Sequence, residues 1–344
     1  MRLSLAPYRL LFREPFGTAH GLRDGTDSVF VRLEHEGVVG YGEATLPPYV
    51  KETPDLVIRS LREPGLVRSL EELSAISPAL PDWFDRVGST AGRTALSTAY
   101  YDLVFKLLNI SSSSHFQGTV RPKAMVTLGH GDPANYAARI ARLPAGFGVL
   151  KIKLGTPHDL AILQAVLATD DRPLLLDANQ GWTRPEQALE ALAMAGPGRV
   201  VGIEQPFHAE DTINHLKLSR LTDVPVIADE SVQDVADLER HGDAFGGVNI
   251  KLMKCGGLDR AMALAVRARA LGKVVMLGSM SESSLGCAAM FSLAGHAELL
   301  DLDGPWLLKN DPFTGLTVRD GTMAVEGPIG FGVSMASGVQ LPWS

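Results

Sequence analysis

The chain of 344 residues is 45% hydrophobic and 21% charged, the balance of a folded globular protein with length for a full core in one large domain or two. Its net charge of -7, with basic residues scattered, excludes the clustered Lys and Arg that a nucleic-acid backbone demands and points to a small-molecule protein. Two cysteines, Cys255 and Cys287, are too few for a disulfide framework, Pro7 and Arg9 break the opening residues where a signal-peptide core would lie, and no apolar run is long enough to span a membrane, so the expectation is a soluble cytoplasmic protein.

Residues 1–120 read as an α+β unit. LSLAPYRLLF, SVFVRLEHE and VVGYGEA predict strands, the last two joined as a hairpin at Glu36 and Gly37, and GRTALSTAYYDLVFKLL has apolar residues at helical spacing. The polar run SSSSHFQG, Ser111 to Gly118, lacks such spacing and marks an internal boundary. From 121 to 305 short apolar runs alternate with helical segments: KAMVTLG, VLKIKLG, PLLLDAN, RVVGIEQP, PVIADES, GVNIKLMK, KVVMLGS and AELLDLD. Eight strand-then-helix units predict an α/β protein with a closed, parallel (β/α)8-type barrel, whose site lies at the C-terminal strand ends. A doubly wound open sheet is the alternative; against it, no Gly-rich phosphate turn follows the first strand, and polar residues end almost every strand. The tail, 306–344, carries LTVRDGTMAVEGPIG, a hairpin pattern expected to pack back on the N-terminal unit and complete it.

Charged residues recur on these strands. In VLKIKLG, Lys151 and Lys153 share one face with Val149, so either that face is solvated or two cations are buried together. Asp177, Glu204 and Asp229 end the third, fourth and fifth runs, 27 and 25 residues apart. One such carboxylate usually caps the following helix; three at equivalent positions would meet at the barrel rim and repel unless a cation lay among them, and oxygen donors with open positions suit Mg2+. Lys251 lies on the sixth strand, opposite the second, with Lys254 just beyond, and Asp301 and Asp303 lie on the eighth, opposite the fourth. A substrate carboxylate at the metal and a substrate cation at the Asp pair would leave the carbon alpha to that carboxylate between two lysines. Loss of its proton creates an enediolate, which needs nearby positive charge, and a lysine on each face can invert the centre. Burial, the neighbouring lysine and the metal are expected to lower the lysine pKa values. Plainer readings are a solvated strand face for the lysine pair, turn capping for Asp301 and Asp303, a supporting hydrogen bond or a turn role for Asn179, a Glu230 pointing away from Asp229 unless the strand bends, and packing for Cys255, Cys287 and Trp182.

With these residues placed, the chain resembles the enolase superfamily, its muconate-lactonizing subgroup, and within it the dipeptide epimerases. The resemblance runs through GYGEA, KIKLG, LDANQGW, IEQPF, ADES, NIKLMKCGG and DLDGP. It implies that Asp177, Glu204 and Asp229 bind Mg2+, that Lys153 and Lys251 are the acid/base pair with Lys151 an electrostatic helper, and that Asp301 and Asp303 hold a dipeptide's alpha-ammonium. The implied activity is epimerisation of the C-terminal residue of a dipeptide; the alternative is a muconate-type cycloisomerase or another acid-substrate lyase or racemase of the same superfamily. GTPHDL stands where related succinylbenzoate synthases and acyl-amino-acid racemases show Pro-Gly-Trp-Asp. Gly21 stands where members specific for Ala-Glu carry an arginine in a loop after the first strand, leaving Arg23 and His20 as candidates to contact substrate, with Tyr49 in a second capping loop. A small-molecule dipeptide is the expected partner, without nucleic acid or membrane, and a homo-oligomer is compatible with all of this.

Overall fold

The computed structural model describes every residue except 19, 20, 74 and 75. Three antiparallel strands open the chain, β1 (Arg2–Thr18), β2 (Gly21–His35) and β3 (Val38–Leu46). Glu36 and Gly37 turn the β2–β3 hairpin with φ values of 50° and 79°, the left-handed pair that matches strand twist. The segment expected to be a loop after the first strand is instead a ribbon: after a register break between Leu11 and Phe16, β1 and β2 pair again from Phe16–Arg23 to Thr18–Gly21. The ribbon is tied to the barrel where His130 N donates to Gly17 O at 3.0 Å.

The helix Thr90–Leu107 is buried along most of its length beneath β3. GYGEA permits this approach, because a Cβ on Gly42 would lie 1.9 Å from Ala95 O. The polar run after this helix is not wholly irregular: Ser111 caps a single turn, Ser112–His115.

Eight parallel strands then close into a ring: β4 (Lys123–Leu128), β5 (Val149–Lys153), β6 (Leu174–Asp177), β7 (Val200–Glu204), β8 (Val226–Ala228), β9 (Gly247–Lys251), β10 (Val274–Gly278) and β11 (Leu299–Asp301). The open-sheet alternative is thereby excluded. Val149 joins Met125, Leu175, Ile227, Met276 and Leu299 in a buried apolar cluster drawn from six strands, separate from the main core, which plugs the ring from inside.

The tail departs from expectation in one respect. Its hairpin, Leu316–Arg319 with Thr322–Val325, sits at the N-terminal end of the barrel, where Ala124 N donates to Gly321 O at 2.8 Å. The flanking segments reach the N-terminal sheet: Leu308 bridges Phe12, Asn310 Oδ1 accepts from Leu11 N at 2.7 Å, and Phe313 packs on Phe30 and Tyr41.

Candidate active site

The lysine face of β5 points inward. With Val149 in the plug, alternation places Lys151 above it, 1% exposed, and Lys153 at the mouth. Register sets Lys153 beside Asp177, and Asp177 beside Glu204. Asp229 follows β8, and Lys251 ends β9, across the ring from β5.

Ion pairs join all of these groups. Lys151 Nζ lies 2.7 Å from Asp301 Oδ2, 2.7 Å from Glu204 Oε2 and 3.0 Å from Asp177 Oδ2. Lys153 Nζ donates to Asp177 Oδ2 at 2.6 Å, and Lys251 Nζ to Asp229 Oδ2 at 2.7 Å. Asp303 accepts from Thr127 N at 2.6 Å. The Asp pair therefore already faces one protein cation, Lys151, which the sequence reading did not anticipate.

For Lys151 and Lys251 the carboxylates turn the shift upward. Burial alone would depress Lys151, but Asp301, Glu204 and Asp177 outweigh it and hold the ammonium well above its usual range. Lys251 is likewise buried, and Asp229 and Glu204 push it upward. Asp177, opposed by burial but drawn down by Lys153 and Lys151, rests at about 2. Carboxyl groups outnumber the ammonium groups here, and the excess shows on Glu204, which burial and Asp177 raise to about 8, so that it keeps its proton near neutral pH. Its Oε2 has no hydrogen bond of proper geometry although Lys151 is close.

A buried, carboxylate-rich donor set fits a hard divalent cation by ligand type. The expected convergence on one point is not seen: among the described residues no three His, Cys, Asp or Glu side chains come together closely enough to hold a metal, because ammonium groups stand between the carboxylates. Cation binding by these carboxylates would displace Lys153 from Asp177 and Lys251 from Asp229 Oδ2.

Two cavities meet at the lysines. One, of about 580 Å³, is lined by Tyr49, Lys153, Asp229, Glu230, Lys251 and Met280 among others. The other, of about 50 Å³, reaches Arg23, Thr127, Lys151, Asp301 and Asp303, and shares Lys153, Lys251 and Tyr49 with the first. Arg23 stands 5.5 Å from the rings of Phe12 and Tyr49, and its Nε and Nη1 are buried without a hydrogen-bond partner among the described residues. His20 lies outside the described residues.

Glu230 corrects an expectation: β8 ends at Ala228, so the chain turns and Glu230 lines the cavity with Asp229 instead of facing away. Burial and Asp229 raise it to about 7. Three further residues had no assigned role. Gln205, at φ 35°, accepts from Asp229 N at 2.9 Å and Ser231 N at 3.1 Å, so IEQPF shapes the neighbouring loop. Asn249 Nδ2 donates to Glu204 Oε1 at 2.8 Å, and Lys254 Nζ donates to Asp229 Oδ1 at 2.7 Å. The signal for Asn249 was present, a lone amide inside the apolar run GVNI.

A family model described as enolase C-terminal domain-like matches residues 135–339. The chain is 34% identical over 341 residues to the L-Ala-D/L-Glu epimerase of Bacteroides thetaiotaomicron, covering 97% of this chain and 88% of that protein. A substrate-liganded complex of the L-Ala-D/L-Glu epimerase from Bacillus subtilis superposes with TM-score 0.85 at 28% identity, covering 98% of this chain and 99% of the other. A dipeptide epimerase from Enterococcus faecalis V583, complexed with Mg and the dipeptide L-Leu-L-Tyr, does so with TM-score 0.82 at 26% identity, covering 97% and 99%. With inward lysines on opposite strands and three carboxylates at successive strand ends, the chain belongs to the enolase superfamily, in the group that contains the dipeptide epimerases.

Proposed function

We propose that this protein is a Mg2+-dependent dipeptide epimerase that inverts the alpha carbon of the C-terminal residue of a dipeptide by two-base 1,1-proton transfer through an enediolate. The observation that carries the reading is that Lys153 and Lys251 enter one cavity from opposite sides of the barrel beside Asp177, Glu204 and Asp229. The relatives' dipeptide substrates support it. Asp177, Glu204 and Asp229 would hold Mg2+, which supplies positive charge at the substrate carboxylate when bound. Lys153 and Lys251 each serve one face of the alpha carbon: one, released from its carboxylate as the neutral amine, takes the proton, while the other, as an ammonium, gives one back. Lys151, fixed among carboxylates, keeps positive charge near the developing enediolate.

Asp301 and Asp303 receive the dipeptide's alpha-ammonium; a carboxylate offers about four lone-pair sites, so Lys151 and Thr127 do not exhaust the pair. A muconate-type cycloisomerase would have no use for such a pair. Arg23 and Tyr49 contact the substrate from the capping side, a role supported by their lining the small cavity with Asp301 and Asp303. In this reading the capping unit, 1–120, closes over the barrel, 121–305, and the segments of the tail, 306–344, that flank its hairpin complete that unit. Buried, unpaired Cys255 and Cys287 support a cytoplasmic setting.

The test is deuterium incorporation at the alpha carbon from a library of dipeptides in heavy water. Exchange should vanish in chelator and return with Mg2+, and N-acetylated dipeptides should be poor substrates. Exchange untouched by chelator, or a kcat/KM unchanged by N-acetylation, would overturn the reading.

A further inference from the structure

Asp229 bears two lysines, and their hydrogen bonds differ in kind. Lys251 ends β9, lines the cavity and donates to Asp229 Oδ2. Lys254 Nζ lies 2.7 Å from Asp229 Oδ1, 2.6 Å from Asp229 O, 2.8 Å from Asn249 O and 3.1 Å from Val232 O. An ammonium has three protons and no acceptor, so these four oxygens occupy all of its donors. Lys254 is thus tied at once to the carboxylate, to the turn that carries it and to the neighbouring strand.

The clamp is held from behind. Lys254 lies on the single turn Leu252–Cys255, which ends at Gly256 with φ 91°. The capping unit grips that turn: Thr94 Oγ1 donates to Leu252 O at 2.8 Å, and the nearly buried Arg93 donates to Gly256 O at 2.6 Å. The same strand also orients Glu204 through Asn249, and Gly278 leaves the room, since a Cβ there would lie 2.3 Å from Asn249 Oδ1.

We propose that Lys254 is a positioning residue for the metal site, holding the Asp229 carboxylate and the 229–232 turn in the orientation that a divalent cation requires. The proposal rests on the reading of Asp229 as a metal ligand. It has a sign that sets it apart from a bystander charge. A cation beside a cation site repels the incoming ion, so loss of a bystander lysine would tighten metal binding; loss of a clamp loosens it.

The probe is Mn2+, titrated into the full-length protein without substrate and followed by the electron paramagnetic resonance of the free ion. Lys254→Met should raise the Mn2+ Kd by about tenfold or more, the range found when groups that orient metal ligands are removed. Lys254→Arg should recover part of the loss, and thermal unfolding identifies folded variants. If Lys254→Met does not fold, Lys254→Gln makes the same comparison. An unchanged or lower Kd in a folded variant overturns the clamp. Asp229→Asn separates the two layers: if it weakens Mn2+ binding and Lys254→Met does not, the clamp alone fails, whereas if it has no effect, the metal-site reading fails and takes the clamp with it.

Discussion

Lys151, Lys153 and Lys251 share a residue type and a cavity but not an environment. Lys151 contacts three carboxylates and is closed off from solvent, whereas Lys153 and Lys251 each pair with one and keep side-chain exposures of 12% and 11%. The two accessible amines suit proton transfer and the enclosed one suits a fixed charge. Lys153→Ala and Lys251→Ala should each stop epimerisation yet retain deuterium exchange from one enantiomer, a different one in each variant. Mass-spectrometric analysis of each stereoisomer reads this directly. Substantial epimerisation in either variant would defeat the two-base mechanism and leave the paired lysines as structural cations.

At the level of the element, the loop after β7 couples the site to the helix Thr212–Leu221. Its His215 is fully buried: Nδ1 lies 2.8 Å from Asp211 O, while Nε2 faces Gln205 Nε2 at 3.3 Å and Phe207 N at 3.4 Å, both donors. This network assigns the neutral Nδ1–H tautomer. Burial lowers the pKa to about 4, against an ordinary value of about 6.5. The folded form therefore resists protonation more than the unfolded chain does. The resulting stability is present above about pH 6.5 and is lost as pH falls through about 4, about 3 kcal/mol in all. His215→Gln should flatten the dependence of stability on pH between 4 and 7, as measured by urea denaturation; parallel profiles for variant and parent would refute the assignment.

Across the whole molecule, the capping sheet and barrel meet over a buried pair of carboxyls. Glu43 of β3 accepts from Thr45 Oγ1 at 2.7 Å and from Ser283 Oγ and N, and Glu282, beside Ser283, accepts from Met280 N at 3.1 Å. A Cβ on Gly286 would stand 2.9 Å from Glu282 Oε2 and 3.0 Å from Glu43 Oε2, which locates both oxygens around one point. Burial, then Glu43, raises Glu282 to about 8, and burial raises Glu43 as well. A raised carboxyl stabilises the fold below its unfolded pKa, about 4.5, and that contribution is lost as pH rises through about 8. Glu282→Gln, neutral at every pH, should gain stability relative to the parent from pH 6 to 9. The gain should be a Tm difference that grows from pH 6 and levels off above about pH 8. Calorimetry across that range checks it, and a constant Tm difference from pH 6 to 9 would show that Glu282 is already ionised in the fold by pH 6 and is not raised.

The sequence by itself determined the barrel and the identity of the groups that face into it. Both follow from local, periodic physics: eight apolar runs with polar ends, and alternation that puts Val149, Lys151 and Lys153 on one face whichever way it looks. That this face looks inward was expected from Lys251 and the strand-end carboxylates, and the tertiary structure agrees, with Lys151 1% exposed above the apolar plug. Only the tertiary structure decided the ionisation pattern. Burial of Lys151 predicts a lowered pKa until Asp177, Glu204 and Asp301, distant in the chain, are set within 3.0 Å of it. Glu230 was expected on the other face unless the strand bent, and the chain does turn, because β8 ends at Ala228, two residues before it. Gln205, Asn249 and Lys254 stood in plain view in IEQPF and NIKLMK, but their roles lie in bonds to residues 22 to 45 positions away, mainly Asp229 and Glu204, and no spacing rule along one strand can specify a hydrogen bond to another.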